Sequence, residues 1–212
     1  MKQRVLSANE EMANAITHGV GFLFALVALP VLVIVSYERS TTIGLIGTMI
    51  YAFSLLLMFS SSTIYHALHE PKAKLVMKKM DHIAIYFLIA GSYTFIILNR
   101  MMNEMGYTFL AVLWGMALVG IWFKAKYAHR FSFFSTMIYI FMGYILLFQP
   151  WAFLTVLTRD GAMLLIAGGL FYTVGAIFYL WKSLVWGHTI WHLLVLAAVV
   201  CHYLGFLREL AG

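Results

Sequence analysis

Apolar residues run along this chain in stretches of about 20, the length a helix needs to cross a bilayer, separated by short breaks of charge, proline or glycine. The pattern predicts seven helices, over residues 15–37, 43–66, 82–99, 107–124, 131–149, 161–181 and 187–207. The expected fold is all-α, an integral membrane bundle of seven transmembrane helices forming a single domain over 1–212. Pro30 falls inside the first helix, where it can kink the axis, whereas Pro71 and Pro150 fall in breaks. No short apolar segment leads into a small-residue cleavage site, so the first helix is expected to act as an uncleaved insertion signal, with no soluble domain beside the bundle.

Composition agrees with lipid as the solvent. Of the 212 residues 63% are hydrophobic and 10% charged, too few polar side chains to cover a soluble globule. An odd number of spans puts the termini on opposite sides, and the basic residues choose between them. Lys2, Arg4, Lys72, Lys74, Lys78, Lys79, Lys124, Lys126, Arg130 and Lys182 fall on the N-terminal side, against Arg39, Arg100, Arg159 and Arg208 on the other. The positive-inside rule then places the N-terminus in the cytoplasm and the C-terminus outside. The net charge of +6 follows from this asymmetry and from anionic inner-leaflet lipid, so no nucleic-acid partner is expected. Cys201 is the single cysteine, sits inside a helix and is expected only to pack. "LIAG" at 88–91 and again at 165–168 reads as shared close packing through small residues rather than as an inverted repeat.

Polar residues inside the apolar runs change the picture most. The last helix opens "GHTIWHLLVL", with His188 and His192 four residues apart on one face, a spacing that lets two imidazoles grip one ion. The second helix ends "SSSTIYHALHE", which sets His66 near the same membrane level with Ser62 one turn deeper. The third opens "KKMDHIAIY" and brings Asp81, and the first opens "EEMANAITHGVG" and brings Glu11, Asn14 and His18. Four helix ends thus converge on one leaflet, and strongly polar groups at membrane depth point to function. His202 is about 15 Å further along the last helix and is read as packed. His69, His82 and His129 adjoin basic loops and are read as interfacial or hydrogen-bonded. For Ser62 an ordinary helix–helix hydrogen bond stays open, and Glu10 and Glu11 also fit solvated acids ahead of a helix N-terminus.

Three neutral imidazoles without a thiolate suit zinc and leave a fourth tetrahedral position open. There zinc lowers the pKa of a bound water to about 7, and a nearby carboxylate can take its proton. Asp81 is the candidate base. Ser62 is the candidate for orienting His66 or for a hydrogen bond to a developing oxyanion.

The ordered set "ExxNxxTH" (Glu11, Asn14, Thr17, His18), "SxxxH" (Ser62, His66), Asp81 and "HxxxH" (His188, His192) resembles the progestin and adipoQ receptor family. The wording "MDHIAIYFLIAGSYT" is similar to its bacterial branch, the hemolysin III proteins, and the likeness covers roughly residues 10–208. The resemblance implies a seven-helix bundle with an intracellular N-terminus in the bacterial inner membrane. It also implies zinc on His66, His188 and His192, with Asp81 beside the metal-bound water. Animal members are receptors associated with ceramide hydrolysis, the wider superfamily includes alkaline ceramidases, and bacterial members are linked to membrane lipid homeostasis. This chain lacks the receptors' long cytoplasmic N-terminal segment, which speaks against a hormone receptor. The expected function is a zinc-dependent hydrolase acting on an amide or ester bond of a membrane lipid. The alternatives are a non-enzymatic sensor with structural zinc, a hemolysin III-type cytolysin and a transporter. A mean hydropathy of +0.91 speaks against a secreted toxin, and the lack of other mid-helix charges against a transporter.

Overall fold

A computed structural model describes residues 5–127 and 132–212; His129, Arg130, Lys2, Arg4 and the expected start of the fifth helix lie outside the described residues. The described chain is helical, with no strand. Its elements are α1 (Ala8–Arg39), α2 (Thr42–Ala67), α3 (Pro71–Arg100), α4 (Glu104–Tyr127), α5 (Ser132–Gly143), a 3-10 turn (Ile145–Phe148), α6 (Pro150–Leu154), α7 (Arg159–Leu180) and α8 (Gly187–Ala211).

Capping residues, not hydropathy, decide where the helices start. Ser7 and Glu10 form a capping box at the head of α1. Thr41 and Thr158 cap α2 and α7 through their hydroxyls. Glu70 accepts from the backbone N–H groups of Ala73 and Lys72, which hold its carboxyl below the usual glutamate range, and Pro71 follows at the first helical position. α1 and α3 therefore begin at Ala8 and Pro71, well ahead of the expected 15 and 82. Lys72, Lys74, Lys78 and Lys79 ride on helix rather than loop, and Pro71 starts a helix instead of lying in a break.

Six helices, α1 to α4, α7 and α8, are long and apolar enough to cross a membrane. Their outward faces carry large apolar side chains such as Val27 (74% exposed) and Val119 (67%), as a surface bathed in lipid tails requires. The helix expected over 131–149 is instead broken. Pro150 disfavours α geometry at the residue before it, and Gln149 duly sits at φ −144°, ψ 61°. The 12 residues of α5 rise only about 18 Å. The broken segment nonetheless follows α3 along its length. Tyr139 donates to the His82 carbonyl near one end, and the Val156 carbonyl accepts from Arg100 Nε near the other. Tyr93 donates to the Gly143 carbonyl at the break itself, so a backbone group freed there is satisfied.

Helices α1 and α8 run parallel. Glu10 meets Trp186 where both begin, and Arg39 meets the Ala211 carbonyl where both end. Between them the core is filled by Leu29, Leu32, Leu55, Phe59, Phe95 and Phe206, with the Phe95 and Phe206 rings stacked at 4.1 Å. The two "LIAG" segments both pack closely: Gly91 receives Ser54 of α2, and Gly168 receives His202 of α8. At the end opposite the starts of α1 and α8, the Glu209 carboxylate, 2% exposed, accepts from Thr158 N–H and hydroxyl and pairs with Arg100 at 3.0 Å. That clamp ties α3, α7 and α8 and borders a polar hollow of about 440 Å³.

Close approach at Gly47 is tested directly. A Cβ there would lie 2.9 Å from the Thr94 carbonyl oxygen and 3.1 Å from Leu98 Cβ, whereas one at Gly115 meets nothing within 4 Å. Gly47→Leu should cost roughly 1–3 kcal/mol through overpacking, read as a lowered thermal midpoint in detergent, while Gly115→Leu leaves the midpoint unchanged.

Candidate metal centre

The site is built where α1, α2, α3 and α8 bring their ends together. Trp186 takes the left-handed conformation, φ 63°, immediately before Gly187 and His188, a costly geometry for a bulky residue. Its N–H donates to Glu10 Oε1 at 2.9 Å, while Glu10 Oε2 accepts from the Ser7 N–H at 3.0 Å. Glu10 is 1% exposed and thus no solvated acid: one carboxylate caps α1 and fastens the turn that launches α8. One α1 turn further, Asn14 Oδ1 accepts from Thr189 Oγ1 at 2.6 Å. His18, on the following turn, stacks on His192 with ring centroids 3.6 Å apart and 19° between planes. The α1 motif therefore aims α8.

Three imidazoles meet at this junction. His188 Nε2 lies 3.3 Å from His66 Nε2 and 3.1 Å from His192 Nε2. His66 is 3% exposed and His192 fully buried. On its far side His66 Nδ1 meets Glu11 Oε2 at 2.6 Å, and Glu11 Oε1 meets Lys74 Nζ at 3.2 Å. A proton held on Nδ1 by a carboxylate leaves Nε2 with a bare lone pair. Lys74 also donates to the Tyr65 and Leu68 carbonyls at the end of α2, so this ion pair doubles as a helix cap.

A single two-centre hydrogen bond cannot serve all three nitrogens. An imidazole nitrogen carries either a proton or an in-plane lone pair. His188 Nε2 can donate to His66 or accept from His192, but not both. A cation accepts all three lone pairs at once. Tetrahedral ligands at a metal–nitrogen length of about 2.0–2.1 Å sit about 3.3–3.4 Å from one another, close to the spacings found. His66, His188 and His192, the first and last buried and His188 partly so, form a group that could hold a metal ion.

Asp81 is 4% exposed and lies within electrostatic reach of His66, but outside the histidine group. The Ser62 hydroxyl is fully buried and lies beside Asp81 without completing a well-formed hydrogen bond. Glu11, rather than Ser62, bonds and orients His66. Glu11, Asn14 and His18 thus all join the cluster. His202 stays apart, with Nε2 3.3 Å from the Leu165 carbonyl, and His69 is exposed.

Of the two readings left open for His82, the structure supports the hydrogen-bonded one: it is 8% exposed and its Nε2 lies 3.4 Å from the Tyr179 hydroxyl. The cause is the early start of α3, which carries His82 several turns inside the helix. Sequence reasoning missed Glu10, Lys74 and Trp186. The spacing Ser7-x-x-Glu10 is a capping-box signal that could have marked Glu10, whereas nothing in a tryptophan announces a positive φ.

With this geometry in view, the comparisons are consistent. Residues 6–203 match the family described as Haemolysin-III related. Hemolysin-3 of Bacillus cereus is 42% identical over 187 residues, 88% of this chain and 85% of that protein. The Hemolysin-3 homolog of Bacillus subtilis is 38% identical over 192 residues, covering 91% of this chain and 90% of the relative. The human monocyte to macrophage differentiation factor is 28% identical over 204 residues, covering 92% and 82%. No solved structure matches. A multi-helix apolar bundle, a histidine triad at one end and a match running nearly from end to end together make this chain a member of the haemolysin-III related family, the bacterial branch of the progestin and adipoQ receptors.

Proposed function

We propose that this protein is a zinc-dependent integral-membrane hydrolase that cleaves an amide or ester bond of a membrane lipid. The observation that carries the reading is that His188 Nε2 lies 3.3 Å from His66 Nε2 and 3.1 Å from His192 Nε2, spacings suited to edges of a tetrahedron of ligands, in a group able to hold one ion. Zinc bound there would supply a Lewis acid and a water deprotonated near neutral pH.

The chain's own residues then have separate tasks. The three imidazoles would hold the ion, and Glu11 keeps the His66 proton on Nδ1 so that the Nε2 lone pair is left for it. Asp81 lies near His66 without entering the ligand group, which suits a base that takes the proton from the attacking water and returns it to the leaving group. Ser62 Oγ beside it is free to orient the Asp81 carboxyl or to donate to oxygen developing negative charge. His18 and Asn14 keep α8 in register.

Seven crossings are part of the same proposal. The parallel course of α1 and α8, and the run of 132–157 along α3 from His82 to Arg100, support a broken but complete fifth crossing. Lys72, Lys74, Lys78, Lys79, Lys124, Lys126 and Lys182 share the histidine end, which supports a cytoplasmic N-terminus in the bacterial inner membrane and a reaction at the inner leaflet. The name Hemolysin-3 on both Bacillus relatives makes membrane lysis the second reading.

Three outcomes test the proposal. Detergent-purified protein should carry about one zinc per chain by elemental analysis, and His188→Ala or His192→Ala should lose it; stoichiometric zinc surviving both would remove the centre. Glu11→Ala should weaken zinc roughly 10–100-fold against a competing chelator while the bundle stays folded. Asp81→Asn should retain zinc yet abolish the difference in lipid composition between cells with and without the protein. An unchanged difference, or dye release from liposomes by wild type and His188→Ala alike, would favour lysis instead.

A further inference from the structure

Beside the histidine triad lies a second polar cluster that the hydrolase reading does not use. Lys78 sits one turn before His82 on α3. Gly120 of α4 receives the ring of Tyr86, one α3 turn beyond His82, and α4 runs antiparallel to α3, with Lys79 Nζ reaching the Ala125 carbonyl. Lys124, one turn after Gly120, is therefore carried to the level of His82, and it is only 1% exposed. From the far side, Lys182 places its Nζ 3.5 Å over the ring of Tyr179, whose hydroxyl faces His82 Nε2. Lys78, Lys124 and Lys182 all lie within electrostatic reach of His82.

Ordinary interfacial lysines extend their ammonium groups into water and need no partner. Lys124 is enclosed instead, and three like charges brought together beside low-dielectric surroundings repel one another. Among the described residues none of the three forms an ion pair. The acids at this end are otherwise engaged: Glu10 and Glu70 cap helices, Glu11 pairs with His66 and Lys74, and Asp81 lies within reach of both Lys78 and His66. Burial, and then the ammonium groups of Lys78 and Lys124, lower Lys182 to about 8. Such a cluster is deficient in negative charge.

We propose that Lys78, Lys124 and Lys182 together seat a phosphate group, carried by a phospholipid headgroup or present as free phosphate, on the side of the histidine cluster formed by α3, α4 and the end of α7. Several ammonium donors around one site match the several acceptor oxygens of a phosphate. As the headgroup anchor of the substrate, the seat rests on the hydrolase reading and narrows its substrate class to phosphate-bearing lipids. As an anion site it stands on the lysines alone.

The full chain in neutral detergent is titrated with inorganic phosphate, with a short-chain phosphatidylglycerol and with the matching phosphate-free diacylglycerol, following heat of binding and thermal midpoint. Each titration is repeated in His188→Ala/His192→Ala, so that phosphate on a metal is separated from phosphate on lysine. Phosphatidylglycerol should bind in both backgrounds, and Lys182→Gln should weaken it about tenfold, with a larger loss in Lys78→Gln/Lys182→Gln. Lys182 is partly exposed, so its variant is expected to fold even where changes at buried Lys124 do not. Lysine-dependent binding of inorganic phosphate as well would identify the phosphate itself as the ligand; lysine-dependent binding of the lipid alone would identify the headgroup. Equal affinity in wild type and both lysine variants, loss of binding with the histidines, or an equal response to diacylglycerol would each overturn the seat. A zinc-free wild type that still binds phosphate through these lysines would remove the hydrolase reading and leave the seat standing.

Discussion

An imidazole nitrogen in the ring plane offers a proton or a lone pair, and no geometry lets it offer both. Around His188 Nε2, two further Nε2 atoms lie at 3.3 and 3.1 Å, and the one on His66 has its proton drawn to the opposite side of the ring by Glu11. In water such a cluster would separate and hydrate. Inside an apolar bundle, with His66 and His192 buried and His188 only partly exposed, little solvent reaches it, and an unmet polar group there is expensive. The surrounding architecture can be understood as what it takes to hold three nitrogens in this relation, a relation that a shared cation could satisfy.

Two of the nitrogens come from α8, so the placement of α8 is the critical variable. It is set by α1 through three successive fastenings: Glu10 to the Trp186 N–H, Asn14 to Thr189, and the His18 ring on His192. The first holds a bulky residue at positive φ, a conformation that persists only when its neighbours over-determine it. At the other end Glu209 fixes the tail of α8 to Arg100 and Thr158. With α8 anchored at both ends, a small change in α1 would propagate into the ligand geometry without touching a ligand.

How much of this could be read in the sequence follows from which interactions are local. Apolar runs of bilayer length identify the helical class, and the i, i+4 spacing of His188 and His192 places both on one face from the sequence alone. His66 could be matched to them in depth because helix direction alternates from span to span. The exact helix starts were not legible from hydropathy, since Ser7–Glu10 and Glu70–Pro71 extend α1 and α3 through polar turns. The early start of α3 also carries His82 inside the helix, which selects the hydrogen-bonded reading over the interfacial one. Pro150 was visible as a break, but the helix before it also ends early, at Gly143, with Tyr93 from α3 donating to the freed carbonyl, a tertiary contact that no local pattern encodes.

Depth links the histidine cluster to the chemistry proposed for it. Trp181, Val185 and Trp186 are each more than 40% exposed in the segment leading into α8, at 55%, 55% and 42%. Exposed tryptophans at the start of a span favour the headgroup level. With about 1.5 Å of rise per residue, His188 and His192 lie within roughly 10 Å of Trp186 along the axis. That spacing favours a depth for the histidine cluster just beneath the interface rather than at the bilayer centre. A bond at the junction of headgroup and acyl chain reaches that level with its tails still among the exposed apolar faces, whereas a bond deep within a chain would have to be drawn outward against the hydrophobic effect. Amide and ester linkages of membrane lipids lie at that junction, so the position of the histidines along α8 is compatible with the hydrolase proposed above.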